Sequence, residues 1–287
     1  MTIRTRELFK KLPDLSTNGI VSPVYSTRLG ALFKTDCVKL LPKFKKDKFD
    51  MIFADPPFNI GKRYGRRVND RKTDHEYLEW CGQWINECIR ILKPGGTFFI
   101  YNMPSWNIRL ANLLLNSGMQ FRDWIVVDVK LGLPIRGRLY PSHYSLLYFT
   151  KGKHITFHNV RVPIRTCRHC GKDVKDYGGH RKAINPKGIN LSDVWSDIPP
   201  VRHWKFKSRK RKANALSTKL LERVVGMSTN VGDLILDPFG GSGTTFAVCE
   251  KLRRKWIGIE IESAAAIVER LQQDNLHYYK NDDLLDV

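Results

Sequence analysis

The stretch that decides the fold lies at residues 237–245 and reads Asp-Pro-Phe-Gly-Gly-Ser-Gly-Thr-Thr. It follows a short apolar run at 234–236, which is typical of a buried strand. Gly240, Gly241 and Gly243 let the backbone turn tightly and approach a ligand without a Cβ clash. A helical pattern follows, so the stretch predicts a turn between a strand and a helix. Open α/β sheets bind ligands at such turns, beyond the carboxyl ends of their strands.

A second strand end lies upstream. The apolar run at 49–54 leads into Asp55-Pro56-Pro57-Phe58, as a buried parallel strand ending in a proline-rich loop would. Thr73 and Glu76 form a capping-box pattern, and apolar residues then recur at helical spacing until the Pro-Gly-Gly at 94–96. Further strands are predicted at 97–101, 121–129, 144–150 and 255–261, and further helices at 105–116, at 215–227 and from residue 263.

The alternation of strands and helices predicts an α/β fold with a mostly parallel sheet and helices on both faces. It breaks at about residue 151, where an irregular, basic segment begins. The sequence therefore predicts one α/β domain in two halves, at 30–150 and 213–273, separated by a basic insertion at 151–212. An N-terminal extension at 1–29 precedes the domain, and a polar tail at 274–287 follows it.

Charge is the most informative bulk property of the 287-residue chain, with 49 Lys and Arg against 28 Asp and Glu, a net charge of +21. Such an excess favours a polyanionic partner, because neutralised phosphates release condensed counterions. A membrane surface is the lesser alternative, since no basic amphipathic helix stands out. No run of 18 apolar residues and no signal peptide is evident, so we expect a cytoplasmic protein associated with the nucleoid.

The two loops together resemble the signature motifs of DNA amino-methyltransferases. The Asp-Pro-Pro-Phe of residues 55–58 resembles the catalytic loop of that family, and residues 237–245 resemble its S-adenosylmethionine loop. The catalytic loop comes first, as in the beta class, and the resemblance covers roughly residues 30–150 and 212–272. It implies a Rossmann-like methyltransferase fold with an inserted target-recognition region at 151–212. S-adenosyl-L-methionine would be the cofactor and double-stranded DNA the substrate.

The cofactor site implied by the resemblance lies mainly in the glycine loop. The N-terminus of the following helix favours a carboxylate such as that of the methionine end. Glu260 ends the next strand, which suits a carboxylate accepting hydrogen bonds from ribose hydroxyls. The chain has neither Gly-Lys-Ser/Thr nor a full Gly-x-Gly-x-x-Gly, which argues against NTPase and nicotinamide sites. The expected cofactor-binding residues are Asp36, Cys37, Asp55, Asp237, Phe239, Gly240, Gly241, Ser242, Gly243, Thr244 and Glu260.

One position departs from the family pattern. Family members often carry Gln-Lys-Pro at the start of the helix that precedes the glycine loop, where this chain has Ala215-Leu216-Ser217. Lys212 and Asn214 are candidate substitutes for the contacts at this edge of the pocket.

The catalytic residues expected are Asp55, Pro56, Pro57 and Phe58. The amine of a nucleobase is a poor nucleophile, and its methylation requires acceptors that hold its hydrogens. The Asp55 carboxylate and the Pro56 carbonyl can supply these, while the prolines stiffen the loop. Phe58 can stack on an extruded base or pack as a buried aromatic. In the family, Asp at the first position usually goes with adenine, and Ser with cytosine.

Three basic stretches are candidates for DNA contact, most of them with phosphates rather than with base edges. They follow the catalytic loop, lie in the middle of the chain and fall in the basic insertion. The first contains Lys62, Arg63, Arg66, Arg67, Arg71 and Lys72, and the second contains Lys130, Arg136 and Arg138. The third is the stretch 202–212, where aromatic residues alternate with basic ones such as Arg202, Lys205, Lys207 and Arg209.

The six cysteines do not form a disulfide framework, and Cys81 and Cys88 fit an apolar helical stripe. Cys167 and Cys170 have the spacing of half a zinc site. We predict a structural zinc ion held by this pair and His180, with His203 as the candidate fourth ligand. The alternative is two free thiols in a loop.

These patterns predict a site-specific enzyme that methylates the N6 amine of adenine in DNA. Methylation of the N4 amine of cytosine is the nearest alternative, and RNA as the substrate is a further one. The alternative of another class is an inactive nucleic-acid-binding protein. The sequence leaves open whether the chain forms a homodimer and whether a restriction endonuclease accompanies it.

Overall fold

A computed structural model gives the fold. It describes residue 15 and residues 22–61, 63–64, 68–69, 71–128, 136–137, 139–164, 166, 170–172, 179, 185–199 and 216–278. The helices are α1 (Cys37–Leu40), α2 (Asp74–Ile91), α3 (Pro104–Asn116), α4 (Thr218–Ser228), α5 (Thr244–Lys251) and α6 (Ala265–Tyr278), and a 3-10 turn, Leu41–Lys43, follows α1.

The strands are β1 (Tyr25–Ser26), β2 (Gly30–Lys34), β3 (Phe49–Ala54), β4 (Arg63–Tyr64), β5 (Val68–Asn69), β6 (Leu92–Asn102), β7 (Gln120–Asp128), β8 (His143–Thr150), β9 (Arg161–Val162), β10 (Ile189–Asn190), β11 (Val194–Trp195), β12 (Leu234–Asp237) and β13 (Lys255–Glu260). Nine of them form one sheet in the order β1-β2-β13-β12-β3-β6-β8-β7-β11. The strands from β2 to β6 in this order run parallel, and β8 pairs antiparallel with both β6 and β7. The mostly parallel sheet is confirmed.

Two apolar layers cover the two faces of the sheet. One contains side chains of α2 and α3, such as Trp84 and Leu110. The other contains side chains of α4, α5 and α6, such as Leu221, Phe246 and Ile267. A strand that is covered on both faces must be apolar throughout, which explains the continuous apolar runs in the sequence. Within the described residues, no helix is both long and apolar enough to cross a membrane.

The start of α2 follows the predicted capping box. Thr73 accepts a hydrogen bond from the Glu76 amide at 3.3 Å, and the Glu76 carboxylate accepts one from the Thr73 amide at 2.8 Å. The helix ends at Ile91, shortly before the Pro-Gly-Gly at 94–96, so the predicted stop is confirmed. The next strand, β6, begins earlier than predicted, at Leu92, which pairs with Phe49 of β3. Residues 94–96 lie at a register shift between that pair and the pair of Met51 with Thr97, and Gly95 has a φ of 77° there.

Two further predictions need adjustment. The last helix continues to Tyr278, so residues 274–278, expected in the tail, are helical. Within the basic insertion, Val194–Trp195 forms the edge strand β11, parallel to β7 of the main sheet. Trp195 is buried, and Arg223 of α4 lies over its ring at 5.4 Å. Arg223 also forms an ion pair with Asp197, so the end of the insertion is attached to the α/β domain.

Candidate active site

Two carboxylates lie at the carboxyl ends of neighbouring parallel strands. Asp237 is the last residue of β12, and Asp55 directly follows β3, with which β12 pairs. Parallel strands place their carboxyl ends at the same edge of a sheet, so Asp55 and Asp237, 182 positions apart in sequence, come together. Both line one pocket, whose walls are formed by Asp55, Leu216, Asp237, Phe239, Gly240, Gly241, Ser242, Thr244 and Thr245.

The glycine loop is held by its own hydrogen bonds. The Asp237 carboxylate accepts bonds from the Phe239 amide at 2.9 Å and from the Thr245 hydroxyl at 2.6 Å. Gly243, at a φ of 77°, is the N-cap of α5. A Cβ at Gly243 would lie 2.9 Å from a methyl carbon of Ile267, so both backbone conformation and space require glycine. The shape of the loop is therefore fixed by its own hydrogen bonds and by glycine at position 243.

Glu260 ends β13, beside β12, and borders the glycine loop. Its carboxylate accepts a hydrogen bond from the Gly241 amide at 2.8 Å and another from the Glu262 amide at 2.8 Å. The strands β13, β12 and β3 are neighbours in this order, so Glu260, Asp237 and Asp55 lie side by side along one edge of the sheet. Glu260 thus braces the loop, and each of its oxygens retains a lone pair for a ligand.

The pKa values of all three carboxyl groups are raised above their usual range. Burial raises the pKa of Asp237 to about 7, against the lowering effect of its bonds from Thr245 and Phe239. Burial, with the nearby charge of Asp237, raises the pKa of Asp55 well above its usual range. Burial also raises the pKa of Glu260, although its backbone hydrogen bonds oppose the shift. A cation entering the pocket would favour the ionised forms of these groups.

The predicted catalytic loop, residues 55–58, is held by a residue of another element of the fold. Among the described residues, no donor forms a hydrogen bond with the Asp55 carboxylate. Two residues further along the loop, the Pro57 carbonyl accepts a hydrogen bond from the Tyr77 hydroxyl at 2.6 Å. The Asn102 amide donates to the same hydroxyl at 3.2 Å, and both Tyr77 and Asn102 are buried. The Pro57 carbonyl is therefore occupied, while Asp55 remains available to a substrate.

Phe58 belongs to an aromatic group at the mouth of the loop. Its ring lies 5.5 Å from that of Tyr144 and 6.3 Å from that of Tyr101. Phe58 is only partly buried, so one part of the ring packs while another is accessible. Phe58 thus packs against other aromatic rings, and its stacking on an extruded base stays a prediction. Tyr101 also lies close enough to Asp55 that the carboxylate contributes to raising the pKa of the tyrosine, after burial.

The remaining cofactor predictions are placed as follows. Phe239 packs against Trp84 of α2 at 5.1 Å between ring centroids. Asp36 accepts a hydrogen bond from the Val38 amide at 3.0 Å and caps α1, beside Glu260 at the end of β13. Cys37 is buried in the apolar layer, and burial raises the pKa of its thiol. Asp36 is thus near the pocket edge, whereas the Cys37 side chain points into the core.

Few of the predicted DNA-contacting residues lie within the described ranges. Arg71, Lys72 and Arg136 are exposed, as phosphate contacts would be. The backbone of Arg63 forms part of β4. The others lie outside the described residues: Lys62, Arg66, Arg67, Lys130, Arg138, Arg202, Lys205, Lys207 and Arg209.

The basic segment after the catalytic loop is closed at its base by Asn59. The Asn59 side chain donates to the Lys72 carbonyl at 3.0 Å and accepts from the Lys72 amide at 2.8 Å. Asn59 has a φ of 53°, which Asn tolerates better than most residues. The pair joins the two ends of the basic segment directly beside the catalytic loop.

The zinc prediction is not tested by the geometry. Cys170 is exposed, and Cys167, His180 and His203 lie outside the described residues. Within the part of the chain that the structure describes, no three His, Cys, Asp or Glu residues group as metal ligands.

Sequence reasoning missed several residues of the site. Tyr77, Tyr101 and Tyr144 contact the catalytic loop from α2, β6 and β8, and Asn102 of β6 supports it through the Tyr77 hydroxyl. They lie at least 19 positions from the loop and belong to no short motif, so the sequence contains no local signal for them. Tyr77 lies four residues after the Thr73 cap, which reads only as one more apolar position of a helix.

A family model described as DNA methylase, of the N6/N4 group, matches residues 49–268. The chain therefore belongs to this DNA methylase family. It is 54% identical over 263 residues to the type II methyltransferase M.BamHI of Bacillus amyloliquefaciens, covering 91% of this chain. It is 30% identical to the DNA adenine methyltransferase YhdJ of Escherichia coli (strain K12), covering 91% of this chain and 90% of that one. The chain spans only 62% of the length of M.BamHI.

Solved structures show the same fold. The PvuII DNA methyltransferase, named as cytosine-N4-specific, matches with a TM-score of 0.60 at 21% identity, over 90% of this chain and 94% of that one. A complex of M1.HpyAVI with SAM matches with a TM-score of 0.54 at 21% identity, over 84% of this chain and all of that one. The Rossmann-like methyltransferase architecture predicted from the two loops is confirmed.

Proposed function

We propose that the chain is an enzyme that transfers a methyl group from S-adenosylmethionine to an exocyclic amine of a base in double-stranded DNA. The observation that carries this proposal is the meeting of two loops in one pocket. The preformed glycine loop supplies one wall, and Asp55, whose carboxylate accepts no hydrogen bond from any described residue, supplies the other.

The residues present fit this cofactor. Its sulfonium is a cation, and the pocket edge carries Asp55, Asp237 and Glu260, whose pKa values are raised mainly by burial, so a nearby cation would stabilise their ionised forms. Glu260 retains acceptor capacity for ribose hydroxyls, and the ring of Phe239 offers an apolar surface. When bound, the cofactor supplies an electrophilic methyl group.

The catalytic loop then acts on the amine. The Asp55 carboxylate accepts one hydrogen of the amine, and the Pro56 carbonyl accepts the other. These bonds localise the lone pair on nitrogen, and Asp55 is placed to receive the proton that nitrogen loses after methylation. Tyr77 keeps the next carbonyl, that of Pro57, in place, which orients the loop for this task. Phe58, with Tyr101 and Tyr144, offers an aromatic surface to an extruded base.

Adenine is the base that we propose, because Asp55 occupies the first position of the catalytic loop. The relative YhdJ, a DNA adenine methyltransferase by name, supports this choice. Cytosine N4 is the second candidate, because the fold also matches the cytosine-N4-specific PvuII enzyme over 90% of the chain.

One experiment distinguishes methylation of adenine, methylation of cytosine and the absence of DNA methylation. Mixed-sequence DNA is incubated with the protein and isotopically labelled S-adenosylmethionine, then digested to nucleosides and analysed by mass spectrometry. Labelled N6-methyladenine supports the proposal, and labelled N4-methylcytosine supports the second candidate. Absence of label in either nucleoside, with RNA as a parallel substrate, would exclude DNA methylation under these conditions and favour a binding protein.

The basic surface is proposed to hold the DNA. Its net charge of +21 and the exposed Arg71, Lys72 and Arg136 support binding through phosphates. Affinity should therefore fall steeply with salt, because each neutralised phosphate releases counterions. Equal affinity at low and high salt would contradict this part of the proposal.

A companion restriction endonuclease, a structural zinc ion and a homodimer are also proposed. Several relatives are named type II methyltransferases, which supports a companion restriction endonuclease. Protection of DNA from cells that express the chain against one specific endonuclease would identify the target sequence. Elemental analysis for zinc tests the site at Cys167, Cys170 and His180, and light scattering tests a homodimer.

A further inference from the structure

The walls of the pocket differ in charge. Asp55, Asp237 and Glu260 lie in line along the sheet edge. The neutral wall of the same pocket consists of Leu216, from the segment before α4, of Ser242 just before α5, and of Thr244 at its first position. It presents hydroxyls and a backbone carbonyl rather than carboxylates, so the two walls suit ligand groups of opposite charge.

Arg270 of α6 lies behind the neutral wall. Its guanidinium donates a hydrogen bond to the Thr244 hydroxyl at 3.0 Å. Thr244 in turn is 3.4 Å from the Leu216 carbonyl, to which it donates, and 3.2 Å from the Ser242 hydroxyl. Arg270 is half-buried, so its charge is only partly screened by solvent. One cation is thus joined by a hydrogen bond to a side chain that lines the pocket.

The shape of the cofactor matches this division. A sulfonium carries three arms: the methyl group, the adenosyl group and the aminobutyrate group. If Glu260 holds the ribose and Asp55 faces the methyl group, the third arm must extend towards the remaining wall. That arm ends in a carboxylate, which three acidic groups would repel and a guanidinium would attract. The N-terminal amides of α5 favour the same charge.

We propose that Arg270 recognises the carboxylate of the cofactor, directly or through the hydroxyl of Thr244. The inference rests on the proposed binding of S-adenosylmethionine and assigns one further residue to that site. Leu216 lines the pocket, and its carbonyl accepts from the same Thr244 hydroxyl to which Arg270 donates, so Arg270 supplies a positive charge near this part of the pocket.

The test compares three ligands by calorimetry, each with the wild-type chain and with Arg270→Gln. S-adenosylmethionine has the full aminobutyrate arm, decarboxylated S-adenosylmethionine lacks only the carboxylate, and 5′-methylthioadenosine lacks the whole arm. We expect Arg270→Gln to lower the affinity for S-adenosylmethionine by about tenfold or more, which is the range for loss of a charge-assisted hydrogen bond. The other two ligands should change by less than about threefold, because neither carries the carboxylate.

Two variants serve as controls. Arg270→Lys keeps the charge and should retain part of the preference for the carboxylate. Lys251→Gln removes one positive charge from the other end of α5, where Lys251 pairs with Glu222, and should leave the preference unchanged. Similar effects of Lys251→Gln and Arg270→Gln would reduce the role of Arg270 to general electrostatics and overturn the assignment.

The remaining outcomes are also decisive. Equal weakening of all three ligands by Arg270→Gln would show that Arg270 only supports the fold of the loop. Unchanged binding of S-adenosylmethionine would show that the carboxylate lies elsewhere, while the proposed function would stand. Failure of the wild-type chain to bind S-adenosylmethionine would instead overturn the proposed function itself.

Discussion

The two loops of the active site are stabilised in opposite ways. Asp237 opens the cofactor loop and accepts hydrogen bonds from Phe239 and Thr245 within the same loop. Asp55 opens the catalytic loop, and no described residue donates to its carboxylate. The catalytic loop is instead fixed through the Pro57 carbonyl by Tyr77, which comes from another element.

This difference follows from what each loop must do. A loop that encloses a ligand can satisfy its own polar groups and still present backbone and space. A loop that acts on an amine must keep acceptors unsatisfied until the amine arrives, which costs stability. External support from Tyr77 permits this, because it fixes the loop without occupying Asp55. Changes in the catalytic loop should therefore affect turnover, and changes in the cofactor loop should affect affinity.

The largest expected effect is that of Asp55→Ala. We predict that it lowers the methylation rate by about 10²- to 10³-fold or more, the loss seen when a group acting in the transition state is removed. S-adenosylmethionine should still bind, since the glycine loop does not depend on Asp55. Rate measurements with calorimetry check both parts. Asp74→Ala, at an exposed aspartate paired with Arg109, is the control. Near-wild-type turnover of Asp55→Ala would remove the catalytic assignment.

Gly241→Val should act on affinity instead. Gly241 has a φ of 52°, and an added Cβ would meet no atom closer than 3.7 Å, so the new side chain projects into the open pocket. We expect S-adenosylmethionine to bind up to about 100-fold more weakly, the upper range for overpacking a site. Calorimetry measures this loss.

Gly232→Val is the matched control for backbone strain. Gly232 has a φ of 86°, lies outside the pocket walls and has open space around it. It should show a comparable loss of thermal stability without the loss of affinity. If both variants bind S-adenosylmethionine like the wild type, the cofactor pocket lies elsewhere.

Tyr77→Phe tests the external support directly. It leaves the Pro57 carbonyl without its donor, so the catalytic loop loses its fixed orientation. We predict a fall in kcat of about tenfold with unchanged affinity for S-adenosylmethionine. Tyr148→Phe, at a buried tyrosine that stacks on Phe99, is the control. A parallel loss of cofactor affinity in Tyr77→Phe would show that the two loops are not supported separately.

The smallest expected effect concerns pH. Burial raises the pKa of Asp237 to about 7, so the pocket gains negative charge as the pH rises through that value. The affinity for cationic S-adenosylmethionine should therefore increase by a few-fold between about pH 6 and pH 8. S-adenosylhomocysteine is uncharged at sulfur and should change less. Calorimetry of both ligands over this range checks the difference, and equal pH profiles would contradict it.

Stability should change in the opposite direction in the absence of cofactor. The pKa of Asp237 in the folded protein is raised above the unfolded value of 3.8 to about 7. Folding is therefore opposed once the pH exceeds the unfolded value, and the cost grows until the pH passes the folded value. Asp237→Asn should reduce this dependence in thermal melts, with the residual slope reporting Asp55 and Glu260.

Short-range patterns account for much of the fold. The apolar run at 49–54 and the capping box at residue 73 predicted β3 and the start of α2, because both depend on neighbours within a few residues. The Pro-Gly-Gly at 94–96 correctly indicated the end of α2, but the start of β6 at Leu92 was missed, because it depends on pairing with Phe49 of β3. The same limit applies to Trp195, whose burial depends on β7 and α4 rather than on its neighbours in sequence.

The sequence by itself determined which residues form the two loops and predicted the chemistry that we propose for them, because a glycine-rich turn and an Asp-Pro-Pro-Phe segment are each contained within a few residues. Only the tertiary structure decided which groups complete them. Tyr77 reaches Pro57 across 20 residues, and Arg270 reaches Thr244 across 26, because packed helices bring distant positions into contact. Such pairs depend on helix rotation and sheet register, which no local pattern encodes. The pKa values of the acidic groups likewise come from burial, which exists only in the folded chain.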